Sequence, residues 1–505
     1  MDRAPRRRRA ARRGAARGLR RSLAWALVCA AAALPAAACG GGDERAGAGG
    51  SASGGSTLRA TFVDRDGDGT LERGPGEPLR DRTALGPRAK PGRVLASIGI
   101  VTDVHIRDEE SPARPSFLDR LGPPFSATFR PQEALTTQVL TAAVRALNAA
   151  RPDAVVDNGD LIDNAQADEM AWAKRALDGG VVRPDSGARG YDGVQRAGDP
   201  DPAYYRPDVD PPRHPGLLAD AQSPFRSPGL DAPWYPVAGN HDLLVAGELA
   251  RTARTNAVAV GDRVLVRPDE SLQVGRTERS LDSGTVDRLL GRGLPGTTRR
   301  VAADPQRREL TPAQAVQALR PGAGTRLDYA FDVGPRVRAI VLDTVQRAKG
   351  AGGVVTSREV AFLRDELRRA GDRWVLVFTH QPLSGLDGGA PLRALIADDP
   401  RVLAALSGDT HHNRIVAEPA PAGGYWQITT SALADFPQQA RMLRVRETPG
   451  GGAVLETWMV DTAPDPLADT ARALAYLDAQ GGRPDHDAGR RIDRNVRLYR
   501  AAPRR

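Results

Sequence analysis

The chain has 505 residues, 40% of them hydrophobic, so it is long enough to build one large domain or two ordinary ones. Its net charge of +9 is confined to the start, because residues 1–38 carry ten arginines and one aspartate and the remainder is neutral overall. A neutral remainder lacks the basic excess that binding to a phosphate backbone uses, so we expect no nucleic-acid partner.

The first 39 residues have the features of an export signal. An arginine-rich run precedes the apolar stretch Leu23–Ala38, which is too short to span roughly 30 Å of membrane hydrocarbon. Small residues then precede Cys39, so the segment resembles a bacterial lipobox and predicts lipidation at Cys39. Secretion after cleavage at an A-x-A site is the alternative. Arg20 and Arg21 resemble a twin-arginine signal. We therefore expect an exported protein, either a lipoprotein on the outer face of the cytoplasmic membrane or a secreted one.

Residues 40–57 are rich in Gly, Ser and Ala, which is typical of a flexible linker. The next segment, 58–92, contains an acidic loop from Asp64 to Glu72. Its aspartates at positions one, three and five and its glycine at six copy the front half of an EF-hand calcium loop. Pro75 stands at position twelve, where a bidentate glutamate belongs. We favour a turn-rich surface loop, with a calcium-dependent surface module as the alternative.

Residues 93–462 alternate between strand and helix patterns, which predicts an α/β domain. Several apolar runs end in an acid or a histidine, and polar residues at the carboxyl ends of strands are typical of this class. We expect helices at 132–149 and 357–370, and strands at 94–101, 153–156, 327–333, 337–342, 374–378, 402–406, 425–430, 442–445 and 454–460.

Two long segments, 164–233 and 243–325, interrupt this pattern. Long inserts in a domain tend to be lids or binding loops, so we interpret them as a partial cap that carries substrate choice. The closing residues 463–505 predict a polar, mostly helical tail.

Five short motifs with acids and histidines lie along residues 93–462, and five of the seven histidines fall inside them or, like His412, directly after one. They are Asp103-Val104-His105, Gly159-Asp160-Leu161-Ile162-Asp163, Gly239-Asn240-His241-Asp242, the single His380, and Gly408-Asp409-Thr410-His411. In this order they resemble the motifs of the calcineurin-like metallophosphoesterases: D-x-H, G-D-x-x-D, G-N-H-[DE], a lone H and G-H-x-H. The resemblance implies a four-layered α/β/β/α sandwich with long inserts.

The resemblance also implies a role for each matching residue. The first metal ion would be held by Asp103, His105 and His411, the second by Asn240, His380 and the residue at position 409, and both by Asp160. His241 would contact the leaving-group oxygen and Asp163 would orient His241. Carboxylate, imidazole and amide oxygen together suit hard and borderline divalent cations.

Asp409 departs from the family pattern, which has a histidine there. Three outcomes are open: a second site that prefers harder metals, which we favour, a weakened second site, or ligation by the neighbouring His412. We expect two divalent or mixed-valence ions, manganese, iron or zinc, with manganese favoured.

We therefore expect a phosphoric ester hydrolase acting on a phosphorylated small molecule or polymer, with mono- or diester chemistry left open. A ligand-binding protein with a degenerate second metal site is the alternative.

Overall fold

The computed structural model describes residues 55–113, 130–199, 204–269, 283–348, 350–480 and 488–503. The predicted signal peptide, Cys39 and nearly all of the predicted linker lie outside the described residues. Among those described, no helix combines the length and apolar character needed to cross a membrane.

The chain forms strands and helices in alternation, which confirms the predicted mixed α/β class. The helices are α1 (Thr136–Ala150), α2 (Ala167–Asp178), α3 (Leu217–Gln222), α4 (Asn240–Leu243), α5 (Ala253–Ala259), α6 (Ser283–Leu290), α7 (Pro312–Leu319), α8 (Ser357–Arg369), α9 (Ala390–Asp398) and α10 (Pro466–Gln480). The strands are β1 (Ala60–Val63), β2 (Glu72–Pro75), β3 (Arg80–Leu85), β4 (Val94–Val101), β5 (Ala154–Asp157), β6 (Gly180–Val182), β7 (Phe225–Ser227), β8 (Trp234–Pro236), β9 (Arg263–Pro268), β10 (Gly296–Arg300), β11 (Tyr329–Val333), β12 (Val337–Val341), β13 (Trp374–Phe378), β14 (Val402–Ser407), β15 (Arg414–Glu418), β16 (Tyr425–Thr429), β17 (Gln439–Glu447), β18 (Ala453–Asp461) and β19 (Val496–Arg500).

Two large sheets organise the fold. The first has seven strands in the order β3-β19-β18-β17-β4-β5-β8, and the second has six in the order β11-β12-β13-β14-β16-β15. Strands β4, β5 and β8 run parallel to one another, as do β12, β13 and β14. Parallel neighbours bring their carboxyl ends to one edge of the sheet, and this decides where the polar loops meet.

Three hydrophobic clusters cover the faces of these sheets. One combines apolar residues of both sheets, including Ile98 and Ile100 of β4 with Leu376 and Phe378 of β13. A second joins α1, α2 and α10 to residues of the seven-stranded sheet, and a third joins α8 and α9 to residues of the six-stranded sheet. The four-layer order remains a prediction, and these clusters support it.

Local sequence explains where the predicted helices begin and end. Helix α8 begins after Thr356, whose hydroxyl accepts from the Arg358 amide while its own amide donates to Glu359, the capping box that the sequence predicts. Helix α1 ends at Arg151, which takes the left-handed conformation (φ 53°) at its C-cap.

The ends of the chain differ from the predicted organisation. We expected a helical tail at 463–505 and a separate segment at 58–92. Instead, β19 lies within the seven-stranded sheet between β3 and β18, and β3 pairs in parallel with β19 at its edge. The sequence pattern missed β19 because its alternating residues, Val496, Leu498 and Arg500, follow a long helical stretch closely. From Gly55 onward the described residues belong to one compact unit.

Candidate metal centre

Loops after five strands carry the predicted site residues. Asp103 and His105 follow β4, Asp160 follows β5, Asn240 and His241 follow β8, His380 follows β13, and Asp409 and His411 follow β14. The structure brings most of these side chains together into three overlapping groups that could each hold a metal ion. Two of them consist of predicted metal ligands, and the third joins His105 to Asp163 and His241.

The first group is Asp103, His105 and His411, whose ligand atoms all lie within 4.8 Å of one another. The Nε2 atoms of His105 and His411 face each other at 3.2 Å, and His411 Nε2 lies 3.5 Å from Asp103 Oδ1. Their other ring nitrogens are already engaged, since His105 Nδ1 lies 3.0 Å from Asp163 and His411 Nδ1 lies 2.5 Å from Asp435. Holding Nδ1 in this way leaves both Nε2 atoms directed at one point, as in histidines that ligate a metal.

The second group is Asp103, Asp160 and His380. His380 is fully buried, and its Nδ1 donates to the Asn158 carbonyl at 3.0 Å. Its Nε2 is buried without a hydrogen-bond partner, 3.1 Å from Asp160 Oδ2 and 3.9 Å from Asp103 Oδ1. A buried polar atom without a partner is costly, so this nitrogen marks a place where a cation fits.

Asp103 and Asp160 connect the two groups. Asp103 belongs to both, and Asp160 Oδ2 lies 3.1 Å from His380 Nε2 and 3.9 Å from His105 Nε2. The other Asp160 oxygen accepts from the His241 amide at 2.8 Å. The residue predicted to serve both ions therefore lies between their predicted histidines.

Asp409 and Asn240 flank the second group. Asp409 Oδ1 lies 3.8 Å from His380 Nε2, and the Asp409 amide donates to Asp103 at 3.1 Å. The Asn240 Oδ1 atom accepts from Gln381 at 3.4 Å, and its Nδ2 donates to the Gly247 carbonyl at 3.1 Å. His412, the alternative ligand, belongs to none of the metal-capable groups that the described residues form.

His241 lies beside His105, with ring centroids 4.5 Å apart in an edge-to-face arrangement. Its Nδ1 donates to the backbone carbonyl of Asp163 at 2.6 Å, whereas the Asp163 carboxylate is 3.5 Å away. That carboxylate pairs more closely with His105 Nδ1 and with Arg107. In the structure, Asp163 therefore orients His241 mainly through its main chain and His105 through its side chain.

The backbone at the centre is unusual. Five predicted site residues take the left-handed conformation, namely Asp103, His105, Asp160, Asp409 and His411, with φ between 48° and 66°. Such conformations cost about 1–2 kcal/mol each for residues with a side chain and cluster at functional sites. Two glycines permit the close packing, because a Cβ on Gly239 would lie 2.1 Å from Asp160 Oδ1 and one on Gly408 would lie 2.4 Å from Asp103 Oδ2.

Oppositely charged neighbours shift the pKa values of the carboxylates and histidines at the centre. Burial alone would raise the pKa of Asp160, but His380 and His241 hold it well below its usual value. Burial alone would lower the pKa of His241, but the charges of Asp160 and Asp163 raise it to about 10. Burial raises the pKa of Asp409 to about 6, although His380 opposes the shift. Without cations, the raised pKa values of His241 and His380 favour protons on these two rings that balance the carboxylates, so cations would have to displace them.

Sequence reasoning missed several supporting residues. Asp435 holds His411, and Arg107 pairs with Asp163. Asp242 accepts from the amides of Gly239, Asp160 and Ile162 and so joins two of the loops. Asp242 was visible within its motif, but Asp435 lies 24 residues after His411 with no spacing signal.

No protein-family model matches the chain, and neither does any curated protein. Among solved structures, a dimetal phosphatase from Danio rerio matches with 13% identity and a TM-score of 0.38 over 74% of this chain and 100% of its own. A sulfate thiohydrolase, SoxB, from Thermus thermophilus matches with 14% identity and a TM-score of 0.28, over 78% of this chain and 62% of its own. A purple acid phosphatase from yellow lupin matches with 11% identity and a TM-score of 0.30, over 79% of this chain and 57% of its own.

The chain thus spans less than two thirds of the length of the last two proteins.

Proposed function

We propose that this protein is a metallophosphoesterase that hydrolyses a phosphate ester with two metal ions. The observation that carries the proposal is the unpartnered, buried Nε2 of His380, which faces the carboxylates of Asp103 and Asp160 beside the facing pair His105 and His411. Two adjacent ligand groups that share a carboxylate, here Asp103, are the arrangement that a dinuclear site needs.

The donor set fits divalent ions. His105 and His411 offer imidazole and Asp103 offers carboxylate to the first ion, while Asp160, His380 and Asn240 offer carboxylate, imidazole and amide oxygen to the second. Asp409, within 3.8 Å of His380 Nε2, adds a carboxylate where imidazole would favour zinc. We infer that manganese is preferred at the second position, with iron and zinc as the other candidates.

Ions bound there would supply a clamp for the phosphate and an activated water. The chain supplies the rest of the chemistry. His241, whose Nδ1 is held by the Asp163 carbonyl, presents its other nitrogen for proton donation to the leaving oxygen. Asp163, paired with Arg107, fixes His105 in the orientation that the first ion needs.

Metal reconstitution tests this proposal directly. The protein is freed of metal with a chelator, dialysed, and loaded with manganese, iron or zinc. Metal content is then measured together with hydrolysis of p-nitrophenyl phosphate and bis(p-nitrophenyl) phosphate. Two ions per chain with turnover of either ester is the expected result. One ion or none, with no turnover, would favour the alternative of a ligand-binding protein.

We also propose that the protein is exported and anchored by lipid at Cys39. The lipobox-like sequence before Cys39 and the Gly-rich residues after it support this proposal. Since acyl chains contribute about 0.8 kcal/mol per buried CH₂, Cys39→Ser should release the protein from membranes. Mass spectrometry of the mature N-terminus checks it, and an unmodified N-terminus beyond residue 39 would contradict it.

A further inference from the structure

Besides Asp103 and Asp160, one carboxylate stands beside the second ligand group, and another lies in the loop that packs on Asn240 and His241. One is Asp409, 3.8 Å from His380 Nε2. The other is Glu248, in the insert loop that follows His241. Among the described residues, neither forms an ion pair with an arginine or a lysine. Within the described part of the chain, neither negative charge is therefore offset by an arginine or a lysine.

The loop around Glu248 packs against the metal centre. Val245 and Leu249 pair across a tight turn whose residue Gly247 has φ 70°. A Cβ on Gly247 would lie 2.3 Å from the His241 ring, so the turn packs directly on the proposed proton donor. The Gly247 carbonyl also accepts from Asn240. Residue 248 thus follows directly on a residue that contacts both His241 and Asn240.

The Glu248 carboxylate is held in position by the main chain. The side-chain oxygen Oε2 of Glu248 accepts from the Ala351 amide at 3.1 Å. The main-chain carbonyl of Glu248 accepts from the Gly350 amide at 2.8 Å. Burial raises the pKa of Glu248, while His241 lowers it and Asp409 raises it. The charges of His241 and Asp409 therefore both reach this carboxylate.

Asp409 and Glu248 lower the net positive charge of the metal-loaded site. Two divalent ions would bring four positive charges, and the proposed ligands Asp103, Asp160 and Asp409 bring three negative ones. A histidine at position 409, as in the family pattern, would leave the site with twice the net positive charge. Glu248 adds a further negative charge beside it. The attraction for a second negative charge on the substrate is correspondingly weak.

We propose that Asp409 and Glu248 make this site select phosphodiesters, whose phosphate carries one negative charge, over phosphomonoesters, which carry two. The inference rests on the proposed function and narrows its substrate class. Monoesters are dianions above their second pKa of about 6, so the two classes differ in charge at neutral and alkaline pH.

Charge-removing variants test the inference, with Glu447→Gln as the matched control. Glu248→Gln keeps an oxygen for the Ala351 amide, and Asp409→Asn keeps the size and an oxygen ligand. Glu447 is half-exposed and pairs with Arg93 at 3.5 Å, away from the site. Metal content of each manganese-loaded protein is measured first. Then kcat/KM for bis(p-nitrophenyl) phosphate and p-nitrophenyl phosphate is compared, at a pH where the monoester is a dianion.

Binding gives a readout that does not depend on turnover. Calorimetry measures the affinity of each loaded protein for dimethyl phosphate, a monoanion, and for inorganic phosphate as a dianion. We expect the wild type to favour the diester and dimethyl phosphate. Asp409→Asn should move both ratios toward the dianion by about tenfold, because removing one charge at the ligand group has an effect of that order, and Glu248→Gln should move them in the same direction. Glu447→Gln should leave both ratios unchanged.

The outcomes separate the two proposals. A wild type that prefers the monoester and inorganic phosphate would overturn the inference while leaving the proposed function standing. Unchanged ratios in Glu248→Gln and in metal-replete Asp409→Asn would overturn it as well. If neither ester is hydrolysed with any metal, the proposed function fails, and the binding ratios then decide the charge selectivity on their own.

Discussion

Carboxylates cluster in two regions of this molecule, the acidic loop and the metal centre. The two regions differ in burial and in the hydrogen-bond partners of their polar side chains. In the acidic loop, Asp64, Asp66 and Asp68 lie close enough to hold an ion, but the loop's own backbone satisfies two of them: Gly67 and Gly69 donate to Asp64, and Thr70 donates to Asp68. In the metal centre the acids are buried, imidazoles accompany them, and His380 Nε2 has no hydrogen-bond partner. Closely spaced acids alone do not indicate a metal site. Buried ligand atoms that lack hydrogen-bond partners do indicate one.

The largest effect should come from the residue that connects the two ligand groups. Asp160→Asn removes a charge that holds His380 and His241 protonated without metal and that would face both ions with metal. We expect both ions to be lost and turnover to fall by more than about a hundredfold, the upper range for residues that only support ligands. Metal analysis and ester hydrolysis measure this.

The acidic loop provides the matched control for Asp160→Asn. Asp66→Asn makes the same chemical change in an exposed loop and should leave metal content and turnover unchanged. Retention of both ions and normal turnover in Asp160→Asn would remove the dinuclear proposal. Equal losses in both variants would mean that the two acidic regions do not differ as described.

A smaller loss of turnover is expected for His241, which we propose acts on the leaving group and does not bind the ions. His241→Asn should keep both ions and lower kcat by about a hundredfold, because general acids contribute at least that much. The loss should shrink for esters whose leaving group needs no proton. A series of substituted phenyl esters measures it, and equal losses across the series would show that His241 does not assist departure.

Asp409 is the acid among the proposed metal ligands that the family pattern does not contain, so its effect on the metal centre can be tested separately. Asp409→His should shift the metal preference from manganese toward zinc, since imidazole suits zinc better than carboxylate does. With one negative charge fewer, the acid limb of the pH–rate profile should move down by about one pH unit, corresponding to ~1.4 kcal/mol. If metal preference and profile stay the same, Asp409 does not touch the metal and His412 is the next ligand to test.

Stability should depend on pH in opposite directions in the two regions. The pKa of His241 is raised to about 10, so without metal its contribution is complete below about pH 6.5 and is lost as pH rises toward 10. The pKa of Asp64 is lowered, against the effect of burial, by hydrogen bonds from Gly69 and Tyr476, so its contribution is lost only as pH falls below 3.8. Between pH 7 and 10, only the metal centre should change.

Thermal melting of metal-free and metal-loaded protein measures this difference. The metal-free Tm should fall by a few degrees relative to the loaded protein between pH 7 and 10, because cations replace the protons that are lost. Comparing the two forms removes the contribution of groups that titrate in both. A constant difference across this range would contradict the charge balance described for the centre.

Much of the metal centre was predictable because its residues follow strands that the sequence marks clearly. Strands β4 and β13 have the predicted bounds, and helix α8 has its predicted capping residues. The supporting contacts were not predictable, since Asp435 reaches His411 only through the fold. Strand β19 was also missed, because its pairing with β3 and β18 joins the two ends of the chain. Contacts between distant segments leave no local pattern in the sequence.

The smallest effect is expected at the acidic loop itself. Calcium binding to the folded protein alone would raise stability by RT ln(1 + [L]/Kd), so a functional calcium site would raise Tm in millimolar calcium. In the structure, the Asp64 oxygens already accept from Gly67, Gly69 and Tyr476, and Pro75 replaces the twelfth-position glutamate of an EF-hand loop. Calcium would have to compete with these hydrogen bonds without that bidentate ligand. We therefore expect millimolar calcium to leave Tm unchanged in both wild type and Asp66→Ala. A rise of several degrees that Asp66→Ala abolishes would instead establish the loop as a calcium site and would show that a self-satisfied acidic cluster can still bind a cation.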